Sequence, residues 1–280
     1  MGLYETLKRA VPLQWKVGLH HSKDFPKHLA TRVRNRLDAQ LPIPPARLIY
    51  LVSGHRNLAT FLKSGRATTE AIRRLLNKHG LKIEQFDSVL DFGCGAGRVM
   101  RHWQKTSGPT WHGTDYNPDL VNWCKHNLKF AEFRENQLSG QLPYDAESFD
   151  FVYVFSVFTH LNESLQFFWI NELSRVLKPG GYLYFTTHGE HYLPDLTPAE
   201  HEQFVSGELV VRAAQRSGEN FCAVFHPVSW VHEKLLQDLI VVDFVPGGTE
   251  SHSLHDVHLV RKPLACEALG RLASKAGLSI

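Results

Sequence analysis

Val89-Leu-Asp-Phe-Gly-Cys-Gly-Ala-Gly-Arg-Val99 is the stretch of this 280-residue chain that indicates the fold. It includes most of a short apolar run, 88–92, which is typical of a buried strand. Glycines follow at alternate positions, and from residue 98 the apolar residues recur at helical spacing. A strand, a glycine-rich turn and a helix form a nucleotide-binding unit. Its glycines let a ligand approach the main chain, and its helix start offers free N–H groups.

The spacing of the glycines distinguishes between possible ligands. A dinucleotide site needs Gly-x-Gly-x-x-Gly, but here the third glycine, Gly97, comes one residue early. Asp91 lies two residues before Gly93, and its charge suits the cation of an amino acid better than a pyrophosphate. The string Asp-x-Gly-x-Gly-x-Gly resembles the first motif of class I S-adenosylmethionine-dependent methyltransferases.

Alternating strands and helices after this turn indicate an α/β fold. We expect further strands over 111–115, 130–135, 149–155, 182–187, 239–245 and 257–261, and helices that include 68–79 and 163–177. The runs 148–161 and 172–183, the second containing Lys178-Pro-Gly-Gly181, resemble later motifs of the same family. The resemblance implies a doubly wound, seven-stranded, mostly parallel sheet, the Rossmann-like methyltransferase fold, with the last two strands forming an antiparallel pair at one edge.

The chain is expected to have three parts. Residues 1–82 form a basic and helical extension with a lid, in which 61–66 is the stretch expected to reach the cofactor. Residues 83–263 form the methyltransferase domain, with an insertion over 189–236 after the fifth strand. Residues 264–280 form a C-terminal helix.

Polar and aromatic residues after the strands are the expected cofactor contacts. Asp115 ends the second strand, where a carboxylate accepts hydrogen bonds from ribose hydroxyls, and Tyr116 would lie against the adenine. A side-chain amide or backbone N–H at 136–138 would read the adenine edge, with an ordinary Asn-containing turn as the alternative. Together with the first motif, the resemblance implies these S-adenosyl-L-methionine contacts: Asp91, Gly93, Cys94, Gly95, Gly97, Asp115, Tyr116, Asn136, Gln137, Leu138 and Phe155.

Histidines after the fourth and fifth strands are the candidate catalytic bases. Ligands of open α/β sheets bind outside the carboxyl ends of the strands, and a base is needed when the acceptor is a hydroxyl or a protonated amine. His188 directly follows strand five and is expected to act as the base. His160 is either a base or a residue that holds its loop. Since His252, His255 and His258 would not share one face, we interpret them as surface histidines and expect no metal site.

Composition limits the function classes. The net charge of +3 and the 43% of hydrophobic residues give no strong signal for nucleic acid or a membrane surface. No run has the length of a transmembrane helix, and the N-terminus lacks the apolar core of a signal peptide. The four cysteines form no Cys-x-x-Cys pair. These features predict a reduced, cytoplasmic protein without zinc or disulfides, and they leave the oligomeric state open.

The sequence therefore predicts a methyltransferase that acts on a small or medium-sized acceptor, by O- or N-methylation with in-line placement. The insertion and the N-terminal helices favour a capped site. One alternative is an RNA or protein methyltransferase that uses the basic N-terminal arm, and another is an S-adenosylmethionine-binding protein without turnover. We expect a small-molecule partner, no measurable nucleic-acid binding and no membrane association.

Overall fold

The computed structural model describes residues 41–248 and 254–268. The expectations for the basic arm up to residue 40, for His252 and for the end of the C-terminal helix concern residues outside these ranges. The division into 1–82, 83–263 and 264–280 stays a prediction.

Seven strands form the central sheet. They are β1 (Ser88–Phe92), β2 (Thr110–Asp115), β3 (Ala131–Glu135), β4 (Phe149–Val154), β5 (Leu177–Thr187), β8 (Ile240–Val245) and β9 (Asp256–Arg261). Their order is β3-β2-β1-β4-β5-β9-β8. The first five strands pair in parallel, whereas β9 is antiparallel to both β5 and β8. The doubly wound, seven-stranded and mostly parallel sheet with an antiparallel edge pair is confirmed.

The helices lie against this sheet and over its carboxyl edge. They are α1 (Ala46–Ser53), α2 (Leu58–Lys78), α3 (Pro118–Asn127), α4 (Glu163–Val176), α5 (Pro198–Val205) and α6 (Val228–Trp230), the last continued by a π-helical turn, Val231–Leu235. Two short strands of the insertion, β6 (Val210–Arg212) and β7 (Ala223–Phe225), pair as an antiparallel hairpin.

Asparagine side chains begin three of the helices. Asn57 accepts a hydrogen bond from the N–H of Thr60 at 3.1 Å, and Asn162 accepts one from Leu165 at 3.1 Å. Asn117 caps α3 in the same way, with a proline at the first helical position. These caps satisfy N–H groups that a helix start leaves without partners, so the start of each helix is encoded locally.

The core has two layers, one on each face of the sheet. Leu90 and Val152 point to the layer completed by α4 and α6, whereas Val89 and Phe151 point to the layer completed by α2 and α3. The strands read as continuous apolar runs because both faces are covered. A smaller cluster joins α1, α2 and the glycine turn above the carboxyl edge of the sheet.

Three local predictions were wrong. The residues after β1 form a turn and a short 3₁₀ segment, Met100–Trp103, instead of a regular helix. The helix predicted over 68–79 is the second half of the longer α2. The strand predicted over 182–187 begins earlier, since β5 starts at Leu177. A close tertiary contact accompanies the first difference. A Cβ on Gly65 of α2 would lie 2.0 Å from the carbonyl oxygen of Arg98, so α2 packs against the backbone of this turn.

Candidate functional site

A cavity of about 400 Å³ lies at the carboxyl ends of β1, β2 and β4. Its floor is the glycine turn after β1. Its walls come from α1 on one side and from residues 218–221 of the insertion on the other. The three strands run in parallel, so the residues that follow them meet at one edge of the sheet.

Bare backbone forms the floor of the cavity. Gly93 and Gly95 have φ angles of +74° and +55°, a region that favours glycine. A Cβ on Gly93 would lie 2.4 Å from a methyl of Val157, and one on Gly95 would lie 2.7 Å from a methyl of Val52. Both glycines line the cavity, so a ligand there can contact the main chain directly.

Cys94 and Gly97, the other two predicted contacts within the glycine motif, lie outside the cavity lining. A Cβ on Gly97 would lie 2.3 Å from Cδ1 of Leu128, so this glycine permits close packing at the end of α3. Cys94 is buried, and its Cβ lies close to Gly113 of β2. Their role as direct cofactor contacts stays a prediction, and their observed contacts serve packing.

Asp115 is held rigidly at the cavity wall. Its Oδ2 accepts a hydrogen bond from the N–H of Gly95 at 2.9 Å, and its Oδ1 accepts one from Asn117 at 2.9 Å. Burial raises the pKa of this carboxyl to about 6, while the backbone donors partly oppose the shift. A carboxylate accepts about four hydrogen bonds, so each oxygen keeps capacity for a ligand hydroxyl.

Tyr116 and Leu138 form an apolar end of the cavity. The hydroxyl of Tyr116 donates to the carbonyl of Gly218 at 2.9 Å, and a Cβ on Gly218 would lie 2.5 Å from Cδ1 of Leu138. Trp169 of α4 also lines the cavity, and its Nε1 donates to the carbonyl of Leu138 at 3.0 Å. This end of the cavity is therefore lined by apolar and aromatic side chains, with Gly218 of the insertion packed against Tyr116 and Leu138.

Asn136 and Gln137 line the same end of the cavity. The side chain of Asn136 is already engaged, since Oδ1 accepts from the Thr114 hydroxyl at 2.8 Å and Nδ2 donates to the carbonyl of Gln137 at 2.7 Å. The prediction that this segment reads an adenine edge therefore depends on Gln137 and on backbone groups.

Asp91 lies in the buried end of β1, outside the cavity lining. Burial raises its pKa to about 7, although Tyr153 and Arg98 lower it in part. Its Oδ2 has no hydrogen-bond partner within the described part of the chain. Phe155, by contrast, lines the cavity, and the guanidinium of Arg98 lies 4.8 Å from its ring centre.

The two candidate bases occupy different positions. His160 lines the cavity, and its Nδ1 is hydrogen-bonded at 2.6 Å to the carbonyl of Cys222. His188 is outside the cavity lining, with its ring 6.4 Å behind that of His160, and its Nδ1 is bonded at 3.0 Å to the carbonyl of Val224. Burial lowers the pKa of both rings, that of His188 to about 3. The geometry favours His160 as the group that reaches a ligand.

The lid differs from the prediction. Phe61 is fully buried between α1 and α2, away from the cavity. The lining on this side comes from Tyr50, Leu51 and Val52 of α1 instead. The side-chain amide of Asn220 donates to the carbonyl of Leu51 at 2.8 Å, which ties the insertion to α1 across the cavity.

The interpretation of two histidines as surface residues was wrong. His255 and His258 are 2% and 1% exposed. His258 stacks on Phe185 with ring centres 4.6 Å apart, and its Nε2 is hydrogen-bonded to the Thr187 hydroxyl at 2.9 Å. The physical reason for His258 is that both faces of β9 are covered, since Val260 belongs to one core layer and Leu259 to the other. His255, just before β9, is buried against Phe155 and His188. Over the two described ranges, no group of three or more His, Cys, Asp or Glu side chains is arranged to hold a metal ion.

A family model described as a methyltransferase domain matches residues 90–185, the segment from the glycine turn through β5. Over this segment the chain is similar to class I S-adenosylmethionine-dependent methyltransferases. The cofactor of that family is S-adenosyl-L-methionine. This cofactor carries an amino-acid end and a ribose. The bare backbone of the glycine floor fits the first, and the carboxylate of Asp115 fits the second.

Two solved structures share the fold of the methyltransferase domain. A SAM-dependent methyltransferase from Methanosarcina mazei has 20% identity and a TM-score of 0.50, covering 67% of this chain and 97% of its own. An S-adenosylmethionine-dependent methyltransferase from Mesorhizobium loti has 14% identity and a TM-score of 0.51, covering 69% and 98%.

The curated relatives match only part of their own length. A fatty-acid O-methyltransferase of Mycolicibacterium smegmatis is 35% identical over 107 residues, which are 37% of this chain and 38% of that protein. A malonyl-[acyl-carrier protein] O-methyltransferase of Salmonella typhimurium is 30% identical over 122 residues, 41% and 44% of the two chains. The chain thus spans less than half the length of these relatives.

Several residues of the cavity were not among the predicted contacts. They include Tyr50, Leu51 and Val52 of α1, Arg98, Trp169 and residues 218–221. Arg98 directly follows the glycine motif, so its position in the sequence could have identified it as a cavity residue. The others reach the cavity through long-range packing, for which the sequence gives no local signal.

No helix within the described ranges is both long and apolar enough to cross a membrane.

Proposed function

We propose that this protein transfers the methyl group of S-adenosyl-L-methionine to an oxygen or nitrogen atom of a small or medium-sized acceptor. The observation that carries the proposal is the position of Asp115. Its buried carboxylate is fixed by two backbone N–H groups, one from the glycine turn, and it lines the cavity together with Gly93, Gly95 and Tyr116.

Each part of the cavity suits one part of this methyl donor. The carboxylate of Asp115 accepts from the ribose hydroxyls, and the rings of the adenine lie between Tyr116 and Leu138. The floor at Gly93 and Gly95 contacts the amino-acid end. The donor supplies an electrophilic methyl group on a sulfonium. The protein has little bond chemistry to perform beyond holding the acceptor in line with that methyl.

His160 is the group that takes a proton from an acceptor hydroxyl or ammonium. Because its Nδ1 donates to the carbonyl of Cys222, the lone pair is on Nε2. Burial lowers the pKa of this ring and keeps it neutral near pH 7, although the hydrogen bond to Cys222 partly opposes the shift. The acceptor atom forms a bond to the methyl carbon, the carbon–sulfur pair returns to sulfur, and the acceptor proton moves to Nε2.

The edge of the cavity supports an acceptor with an apolar part. Leu51 and Phe221 line the cavity from opposite sides and are 39% and 43% exposed. An exposed apolar rim of this kind often marks a binding surface. The names of two relatives, which describe O-methylation of a fatty acid and of a malonyl-[acyl-carrier protein], support O-methylation of an acyl acceptor.

Calorimetry and a turnover assay test the proposal together. The purified chain is titrated with S-adenosylhomocysteine and with NAD, and radiolabelled methyl transfer is then measured with medium-chain fatty acids, phenols and amines. We expect binding of S-adenosylhomocysteine, no binding of NAD, and turnover with at least one acceptor class. Binding of NAD without binding of S-adenosylhomocysteine would refute the assignment. Cofactor binding without turnover on any acceptor would favour the non-catalytic alternative.

A further inference from the structure

Arg98 carries a guanidinium that the fold itself does not use. It lines the cavity and stacks on Phe155 at 4.8 Å. Its Nε is buried without a hydrogen-bond partner, and its side chain makes no hydrogen bond or ion pair to any residue in the described ranges. Burial lowers its pKa to about 10, and the nearby charge of Asp91 opposes this shift, so the group is positive at neutral pH.

The neighbouring arginine shows what a structural role looks like in this region. Arg101, three residues later, is also buried. Its NH1 group has no partner in the described part of the chain, but its NH2 group donates to the carbonyls of Leu41 and Pro42 at 3.3 and 2.9 Å. A buried charge that lacks such partners costs free energy. Arg98 therefore has donor capacity directed at the cavity that a ligand would satisfy.

We propose that Arg98 binds a carboxylate group of a ligand in this cavity. A guanidinium offers a planar pair of N–H donors that matches a carboxylate, and its stacking on Phe155 holds that plane in place. The inference rests on the proposed function, because two carboxylates are expected in such a site. One belongs to the methionine end of the methyl donor and the other to a fatty-acid acceptor.

Two observations relate Arg98 to these sources. Asp91 lies outside the cavity lining but close enough to Arg98 for their charges to interact, and its Oδ2 has no hydrogen-bond partner in the described part of the chain. The negative charge of Asp91 beside Arg98 favours a ligand that carries both an ammonium and a carboxylate. The apolar rim at Leu51 and Phe221 instead suits a chain that extends from an acceptor carboxylate. The chemistry at Arg98 is the same in both cases.

The test compares wild type with Arg98→Met by calorimetry, using three probes. S-adenosylhomocysteine carries the amino-acid carboxylate, 5′-methylthioadenosine lacks it, and dodecanoate represents the acceptor. If the donor carboxylate is bound, the variant loses about tenfold to a hundredfold in affinity for S-adenosylhomocysteine and none for methylthioadenosine. If the acceptor carboxylate is bound, a loss of that size affects dodecanoate alone, measured with S-adenosylhomocysteine present.

Equal affinities of variant and wild type for all three probes would overturn the inference, and so would a loss that affects methylthioadenosine as strongly as S-adenosylhomocysteine. Arg98→Lys keeps the charge and should retain part of the affinity. Arg134 provides the matched control, since it also stacks at 4.8 Å on a ring, that of Tyr144, and lies outside the cavity lining. Arg134→Met should bind all probes like wild type.

Failure of the proposed function would look different. If wild type binds neither nucleoside, the methyl-donor assignment fails before Arg98 is tested. The carboxylate inference then depends on dodecanoate alone, and it is refuted if wild type and Arg98→Met bind dodecanoate equally or not at all. Thermal unfolding of each variant shows whether a lost affinity comes from a lost fold.

Discussion

Lowering the pH should decrease the free energy of unfolding, and part of this decrease should come from His258. Replacing His258 should remove that part of the pH dependence. Its ring is 1% exposed, stacks on Phe185 and has no hydrogen-bond partner for Nδ1 in the described part of the chain. Burial lowers its pKa from 6.5 to about 3, with a smaller contribution from His232. The fold therefore favours the neutral ring, whereas the unfolded chain takes up a proton as the pH falls below 6.5.

The sign and size follow from linkage. Above pH 6.5 the ring of His258 is neutral in both the folded and the unfolded chain. As the pH falls from 6.5 toward 3, only the unfolded chain binds the proton, so the free energy of unfolding decreases. With these two values, the free energy of unfolding should fall by about 2 kcal/mol between about pH 8 and pH 5 through this one group. Asp91 and Asp115, whose pKa values are raised to about 7 and about 6, shift stability in the opposite direction. The comparison must therefore be made between variants and not on wild type alone.

His258→Gln is the suitable variant, because a glutamine amide can replace the hydrogen bond to Thr187 and does not titrate. Urea unfolding followed by tryptophan fluorescence gives the free energy of unfolding across this pH range. The curve of the variant should fall by about 2 kcal/mol less than that of wild type. His126→Gln, at an exposed position on α3, should run parallel to wild type. Parallel curves for His258→Gln and wild type would refute the reasoning and would mean that the ring does not stay neutral in the fold.

Three further predictions concern the cavity. Asp115→Asn should weaken S-adenosylhomocysteine binding by about 2–3 kcal/mol in calorimetry, since it removes the charge that accepts from the ribose; an unchanged affinity contradicts the ribose assignment. If the acceptor is a hydroxyl or an ammonium, His160→Gln should slow turnover by about 10²–10⁴-fold at unchanged S-adenosylhomocysteine affinity, whereas a larger effect of His188→Gln would restore His188 as the base; a carboxylate acceptor has no proton to remove and should show no such loss. Asn220→Ala removes the hydrogen bond to Leu51, and stopped-flow fluorescence should show faster dissociation of S-adenosylhomocysteine, with an unchanged rate arguing against a lid.

Much of the sheet could be predicted from the sequence. The strand β1 has the expected bounds, and β2, β3 and β4 begin or end within one residue of the expected positions. These strands could be predicted because a short apolar run between turn residues depends only on residues that are neighbours along the chain. The left-handed φ angles at Gly93 and Gly95 are likewise a local property, which is why the motif indicated the turn. Asp115, Tyr116 and Leu138 line the cavity because each follows a parallel strand.

The segment after Gly97 shows where local reasoning failed. Its helical spacing predicts a regular helix, but only Met100–Trp103 forms a helical turn, and α2 packs closely on the carbonyl of Arg98. The preference of one segment was overridden by contact with another segment distant in sequence. The same packing leaves Arg98 beside Phe155 and open to the cavity, which no spacing along the chain indicates.

The sequence by itself determined the α/β class, the bounds of β1 to β4, the glycine turn and the carboxylate at the end of β2, because apolar periodicity and backbone preference act over a few residues. Only the tertiary structure decided that α1 and residues 218–221 cover the cavity, that His160 lines it while His188 lies behind, and that His258 is buried. These features depend on which surfaces meet across long separations in the chain. Such contacts are set by the packing of the whole core and by the interior position of β9 in the sheet.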